Sequence, residues 1–319
     1  MFTAKEKMRQ AIVVLPAGRS GRIREAKQRR WLSRSELRHN AAPSEMFTRV
    51  LTAAGISPPD EGLAALRLWG QTGDRPHVWI AAADPVHLEP RLDHLCLHAL
   101  EGLQSPKMDL RAIFDFLQKS LGQGSGFAFA RIGKHGYLRG DEAISTASVS
   151  ASSLDGMEPD DYMPKCDEAA SYLTLTSELQ MCLHEHEVNV RRETDGLMPI
   201  NSIWFWGGGR APEKTVKLLP PFFGADPLFQ GFWESCTGVI APWPGNFADC
   251  LDIAVKDLVV MTPADDEDGD ALARYLDELR GHLKSGRLDR LVLLFRDGLS
   301  ARIGRFDAFR FWRRSSELL

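Results

Sequence analysis

The chain has 319 residues, of which 44% are hydrophobic, and a formal net charge of −4. That length and apolar content suit one large α/β domain or two smaller ones, able to fold alone. The small net charge excludes a global pull toward nucleic acid or membrane, so a polyanionic partner would need a local basic patch. The five cysteines are scattered without a CxxC pair, which fits a reducing compartment. The apolar run Ala11 to Leu15 is too short for a signal-peptide core or a membrane span, so a soluble cytoplasmic protein is expected.

In chain order, Ala11-Ile-Val-Val-Leu15 followed by Pro16-Ala17-Gly18 reads as a buried strand opening into a loop, the usual start of a parallel sheet. A basic segment follows, with eight basic residues against Glu25 and Glu36 between Arg19 and Arg38. The pattern then predicts a helix near Ser44 to Ala54, a break at Ser57-Pro-Pro-Asp60, helical spacing at Leu63, Leu66 and Trp69, and a strand at Val78 to Ala82. Leu110, Ile113, Phe114 and Leu117 form one stripe of a helix over Asp109 to Leu121. Phe127 to Phe129 and Tyr137-Leu138 suggest a small hairpin appendage. Ala143 to Pro164, rich in Ser, Ala, Asp and Pro, reads as a surface loop or connection. Tyr172, Leu175, Leu179 and Cys182 mark a helix from Glu168 to about Glu187. Near the C-terminus a helix at Asn246 to Lys256, a strand at Asp257 to Thr262, a helix at Gly269 to Leu283 and a strand at Leu291 to Phe295 alternate, as in a helix-covered parallel sheet. The organisation expected is a single domain over 1–319 with a small α+β subdomain at about 105–176.

The most specified stretch is Glu185 to Pro212. Asn201-Ser-Ile-Trp-Phe-Trp206 reads as a short strand ending in Gly207-Gly208-Gly209, where no side chain keeps a ligand from the backbone. The glycines match neither GxGxxG nor a P-loop, since Arg210 follows Gly209. Successive backbone N–H groups can nonetheless form an anion-binding concavity beyond a strand end. Asn189, Arg192, Asn201, Trp206, Gly207, Gly208, Gly209 and Arg210 are therefore the expected ligand-binding residues, facing a small anionic metabolite. Two other readings stay open: the asparagines beside Gly196 and Pro199 build the turn themselves, and the tryptophans are core.

Other constellations are weaker. His184-Glu185-His186 lacks HExxH spacing, because Val188 stands where the second histidine belongs. Ala264 to Asp270 does not register as a calcium loop and reads as a solvated helix start. His87, His94 and His98 follow the strand at Ala83-Asp84-Pro85 and read as satisfied or surface histidines. Ser20 is a weak nucleophile with no GxSxG elbow around it. No metal or other cofactor is expected, and Arg19 to Arg38 is either a solvated face or a surface for an acidic partner.

Glu178-Leu-Gln-Met181, His186-Glu-Val-Asn189, Arg192, Gly196, Pro199 to Gly209 and Ala83-Asp-Pro-Val-His-Leu88 together resemble the RPFE-type regulatory proteins of proteobacteria. The stretch also resembles archaeal-type cofactor-independent phosphoglycerate mutases, with their H-x-V-N-x-x-R, G-x-x-P-x-N and I-W pattern filled by His186, Asn189, Arg192, Gly196, Pro199, Asn201, Ile203 and Trp204. Asp257 to Asp270 continues the similarity. The resemblance implies an alkaline-phosphatase-like α/β sandwich with a mostly parallel central sheet.

It also implies a serine nucleophile and two metal ions held by aspartates and histidines at strand ends. Here Pro16-Ala17-Gly18 follows the first strand where an aspartate and glycine are implied, Asp268-Gly-Asp270 lacks a histidine, and Arg296-Asp-Gly298 replaces an Asp-His pair. Those departures lead to the expectation of a non-catalytic, phosphoglycerate-mutase-like regulatory or small-molecule-binding protein with catalytic residues unknown. The alternative is a phosphomutase- or phosphatase-like enzyme with a rearranged site, acting on a small phosphorylated or carboxylated metabolite.

Overall fold

A computed structural model of the chain describes residues 8–19, 21–40, 42–99, 107–165, 169–264 and 270–307. Ser20 and the acidic run from Asp265 to Gly269 lie outside the described residues. The chain divides into two compact units: one formed by residues up to Ala42, Met46–Pro58 and Lys214–Leu319, the other by Pro43–Glu45 and Pro59–Glu213. The stretch at about 105–176 falls inside the second.

The first unit begins with β1 (Gln10–Leu15), α1 (Ala26–Ser33), β2 (Glu36–His39) and α2 (Met46–Ala53). The chain then builds the second unit from α3 (Leu63–Thr72), β3 (Trp79–Pro90), β4 (Leu95–Ala99), α4 (Lys107–Leu117), β5 (Phe127–Ile132), β6 (His135–Gly140), α5 (Ala170–His184), α6 (Glu187–Thr194) and β7 (Ser202–Gly209). It returns to the first unit with β8 (Phe222–Phe223), α7 (Pro227–Ser235), β9 (Ile240–Ala241), α8 (Phe247–Ile253), β10 (Leu258–Met261), α9 (Ala271–Ser285), β11 (Arg290–Phe295) and β12 (Leu299–Gly304).

In the first unit a seven-stranded sheet runs β2-β12-β11-β1-β10-β8-β9. β1 is parallel to both β10 and β11, with Ile12 beside Val259 on one side and Val292 on the other. β12 and β2 add an antiparallel edge. Strands covered on both faces need apolar side chains at every position, which is why Ala11 to Leu15 and Leu291 to Phe295 are unbroken apolar runs, each residue at most 5% exposed. α9 buries Leu272, Leu276, Leu279 and Leu283 on one stripe against this core and stops at Gly286, whose φ of 78° suits a left-handed cap. α7 starts where the Asp226 carboxylate accepts from Leu228 N and Phe229 N, with Pro227 in the first turn.

The second unit is built on β3, the longest strand. β4 pairs with its C-terminal half, β6 with its N-terminal half, and β7 runs antiparallel along it, while β5 completes a hairpin with β6. The hairpin expected at Phe127 to Leu138 is thus part of a larger sheet. Phe114, Leu117, Tyr172, Leu179, Val188, Ile203 and Phe205 pack into one core across it. The segment expected as a surface loop or connection, Ala143 to Pro164, is irregular but packed within this unit: Ala151 and Leu154 are buried, Ala147 bridges to Trp206 and Leu97 bridges to Met157. Its composition hid this because its backbone partners are strands distant in sequence.

Candidate functional site

The stretch from Glu185 to Pro212 folds as α6, a tight turn and β7, and its marked side chains bond to the protein's own backbone. Asn189 is 1% exposed. Its Nδ2 donates to Leu183 O and Ile200 O and its Oδ1 accepts from Ile200 N, each at 2.8 Å, so both amide protons and the carbonyl oxygen are bonded to backbone. Asn201 accepts from Leu88 N at 2.7 Å and donates to Leu88 O at 2.9 Å, extending the β3–β7 pairing with a side chain. Arg192 is equally buried, donates Nε–H to Met198 O at 2.8 Å and faces Asp109 at 3.8 Å, with burial lowering its pKa. Its neighbour Arg191 reaches the same carboxylate at 2.6 Å, which ties α6 to α4.

The glycines bring backbone to backbone. Gly62 N donates to Gly208 O at 3.2 Å, and a Cβ on Gly209 would meet the backbone nitrogen of Gly62. One on Gly208 would stand 2.7 Å from the Trp79 ring. The space that looked open for a ligand is filled by the start of α3. Arg210 is exposed and donates to His77 O at 3.3 Å.

Trp206 leads to an arrangement the sequence did not announce. Its Nε1–H donates to Asp84 Oδ2 at 2.5 Å, and Asp84 Oδ1 pairs with Arg67 at 3.0 Å. The Arg67 guanidinium is buried, donates to Gly136 O at 2.9 Å, and lies 4.9 Å from the Tyr137 ring centroid and 5.3 Å from that of Trp206. A buried charge needs such partners. Arg67 looked like one more residue of a helix, and only the fold brings it to Asp84.

A second grouping lies in the first unit, beyond the carboxyl ends of β1, β10 and β11, where open parallel sheets hold ligands. Asp297 Oδ2 accepts from Gly18 N at 2.7 Å and Arg19 N at 2.6 Å. Arg19 donates to His39 Nε2 at 2.7 Å. Arg296, exposed, donates to Thr262 O at 2.9 Å, while Arg49 donates to Phe295 O and Leu299 O at 3.1 Å each, its pKa lowered by burial. The described residues at these ends do not by themselves supply ligands for two divalent ions. Among the described residues they offer one carboxylate, already bonded to two backbone N–H groups, and three guanidinium groups, which repel cations.

The remaining sequence candidates have ordinary partners. His186 caps α6, its Nδ1 accepting from Val188 N at 3.3 Å, and burial lowers its pKa. His94 bonds its neighbour Asp93. In the basic segment, Lys27 pairs with Glu25 and Asp277 and Arg38 with Glu36. Lys27, Arg30 and Arg34 also line a cavity of about 150 Å³ with Arg280, Lys284 and Arg305. Among the described residues, no helix is long and apolar enough to cross a membrane.

No protein-family model matches the chain. Among curated proteins it is 34% identical over 80 residues to the 2,3-bisphosphoglycerate-independent phosphoglycerate mutase of Methanosarcina acetivorans, which covers 25% of this chain and 20% of that enzyme. It is 40% identical over 88 residues to the same-named enzyme of Methanothrix thermoacetophila, covering 26% and 21%. The matched segments thus span about a fifth of these relatives. Among solved structures, the PH0037 protein from Pyrococcus horikoshii aligns over 93% of this chain and 87% of its own, with a TM-score of 0.50 and 13% identity.

The expectation of a non-catalytic protein is overturned by these findings. It rested on strand-end groups that are absent, but the relatives are named as mutases, and their kinship points to catalysis. The comparisons do not bear on the RPFE-type resemblance. Over about a quarter of its length the chain is thus similar to cofactor-independent phosphoglycerate mutases, and its mixed α/β architecture is consistent with an alkaline-phosphatase-like fold.

Proposed function

We propose that the chain is a phosphomutase- or phosphatase-like enzyme that acts on a small phosphorylated or carboxylated metabolite through a rearranged site. The observation that carries this reading is the gathering of Arg19, His39, Arg296 and Asp297 beyond the ends of β1 and β11. The names of the relatives support the reaction class. Guanidinium groups offer a forked match to phosphate or carboxylate oxygens and carry the positive charge that such a substrate needs. Asp297 holds the loop of Gly18 and Arg19 in place, and His39 is the group of the cluster suited to moving a proton.

Purified protein would be assayed on 2- and 3-phosphoglycerate and a panel of phosphomonoesters, with and without divalent ions. Turnover is expected, and Arg296→Ala or His39→Ala should lower kcat/KM by roughly 10²–10³-fold with the fold intact, the cost of losing one group that meets developing charge. Absence of turnover on every substrate, or turnover that both variants leave unchanged, would overturn the proposal.

A further inference from the structure

We infer that the β3–β4 hairpin of the second unit carries a binding site for a zinc-class divalent transition-metal ion, with Glu89, Cys96 and His98 as ligands. The antiparallel register sets Glu89 opposite Cys96 and His87 opposite His98. Alternation along a strand puts residues two apart on one face, so all four side chains share a face of the hairpin. The ligand atoms of Glu89, Cys96 and His98 lie within 4.8 Å of one another. Tetrahedral ligands at the usual zinc distances of about 2.0–2.3 Å stand roughly 3.3–3.8 Å apart, so small side-chain movements close the set.

The donor types select the ion. A thiolate and an imidazole favour zinc and its neighbours over magnesium or calcium, and with one carboxylate they neutralise a divalent charge. At present His98 Nε2–H donates to Glu89 Oε2 at 2.8 Å; the metal would take the place of that proton, with the neutral ring carrying its proton on Nδ1 instead, by exchange with solvent. The thiol proton of Cys96 would leave to solvent. Cys96 is 7% exposed, whereas Glu89 and His98 are half-buried, so an ion can enter from the wet side onto a sheltered sulfur.

A second observation is independent of that cluster. His87 Nδ1–H donates to Pro199 O at 2.8 Å, which fixes the tautomer and leaves Nε2 as the lone-pair nitrogen, the anchoring usual for ligating histidines. Its ring centroid is 6.0 Å from that of His98, which places it on the hairpin face as a fourth donor. Arg91 also pairs with Glu89, at 2.7 Å, but it is exposed and can turn to solvent when a cation arrives.

The test is a Co(II) titration of chelator-stripped full-length protein, followed by absorption. One ion per chain is expected, with visible ligand-field bands and a near-ultraviolet sulfur-to-metal band, and Zn(II) should displace it while raising the melting temperature. Cys96→Ser should abolish the sulfur band and Cys182→Ser should retain it. His98→Gln and Glu89→Gln, at half-buried positions where folding is easily kept, should each weaken Co(II) binding by more than the roughly 10–100-fold typical of losing an outer-shell partner. A missing sulfur band in the wild type, a band that follows Cys182 rather than Cys96, or unchanged affinity in His98→Gln would overturn the inference. These readouts are independent of turnover.

Discussion

Asn201 bonds both backbone groups of Leu88, 113 residues away, accepting from its N–H at 2.7 Å and donating to its C=O at 2.9 Å. The amide behaves as an extra peptide unit, continuing β7 beside β3 where the chain itself has turned away. Asn201→Ala should therefore cost about 1–3 kcal/mol of stability, since both Leu88 groups lose their partner. Asn201→Asp keeps an acceptor but sets a carboxylate against the Leu88 carbonyl, and should be destabilised as well. Urea denaturation of the two variants checks this, and near-wild-type stability for Asn201→Ala would show that water replaces the amide.

The start of α3 rests against Gly209, whose φ of 149° is available to glycine and strained for other residues. Gly209→Ala should destabilise the second unit by about 2–4 kcal/mol, combining backbone strain with a contact on Gly62 that has no flexible side chain to yield. Gly196→Ala, at a φ of 71° with open space around it, should cost less. Thermal melts of the pair separate crowding from strain, and equal losses would mean that strain alone decides.

His186 gives an acid-sensitive cap. Burial lowers its pKa from the ordinary 6.5, and its unprotonated Nδ1 accepts the Val188 N–H. The unfolded chain takes up a proton near pH 6.5 while the folded chain resists, so this contribution to stability is full above pH 6.5 and is lost as pH falls toward the lowered folded value. His186→Asn keeps a capping acceptor without titrating. Its stability should fall less than that of the wild type between pH 7 and 5 in denaturant titrations, and parallel curves would place the acid sensitivity elsewhere.

What was legible in the sequence follows from how local its causes are. Ala11 to Leu15 and Leu291 to Phe295 announce buried parallel strands because both faces must be apolar, and α9 announces itself by its leucine stripe. β8 and β9, two residues each, carry no periodicity at all. The stretch from Glu185 to Pro212 is the most specified in the sequence, but the partners of its side chains lie far off in the chain. Asn201 answers to Leu88, Gly209 to Gly62 and Trp206 to Asp84, and none of these partners is visible from the motif. The strand-end cluster was missed for the same reason: Arg19, His39, Asp297 and Arg296 meet only through the sheet.

The placement of β1 between β10 and β11 has a consequence for synthesis. β1 is the central strand of its sheet, and both of its neighbours, β10 and β11, are made only after the whole of the second unit. The second unit is almost continuous in sequence and can complete its core in the interval, while Ala11 to Leu15 wait with unpaired backbone and bare apolar faces. The exposure to aggregation thus lasts until β10 and β11 have been made, and a fully buried central strand is the one at risk.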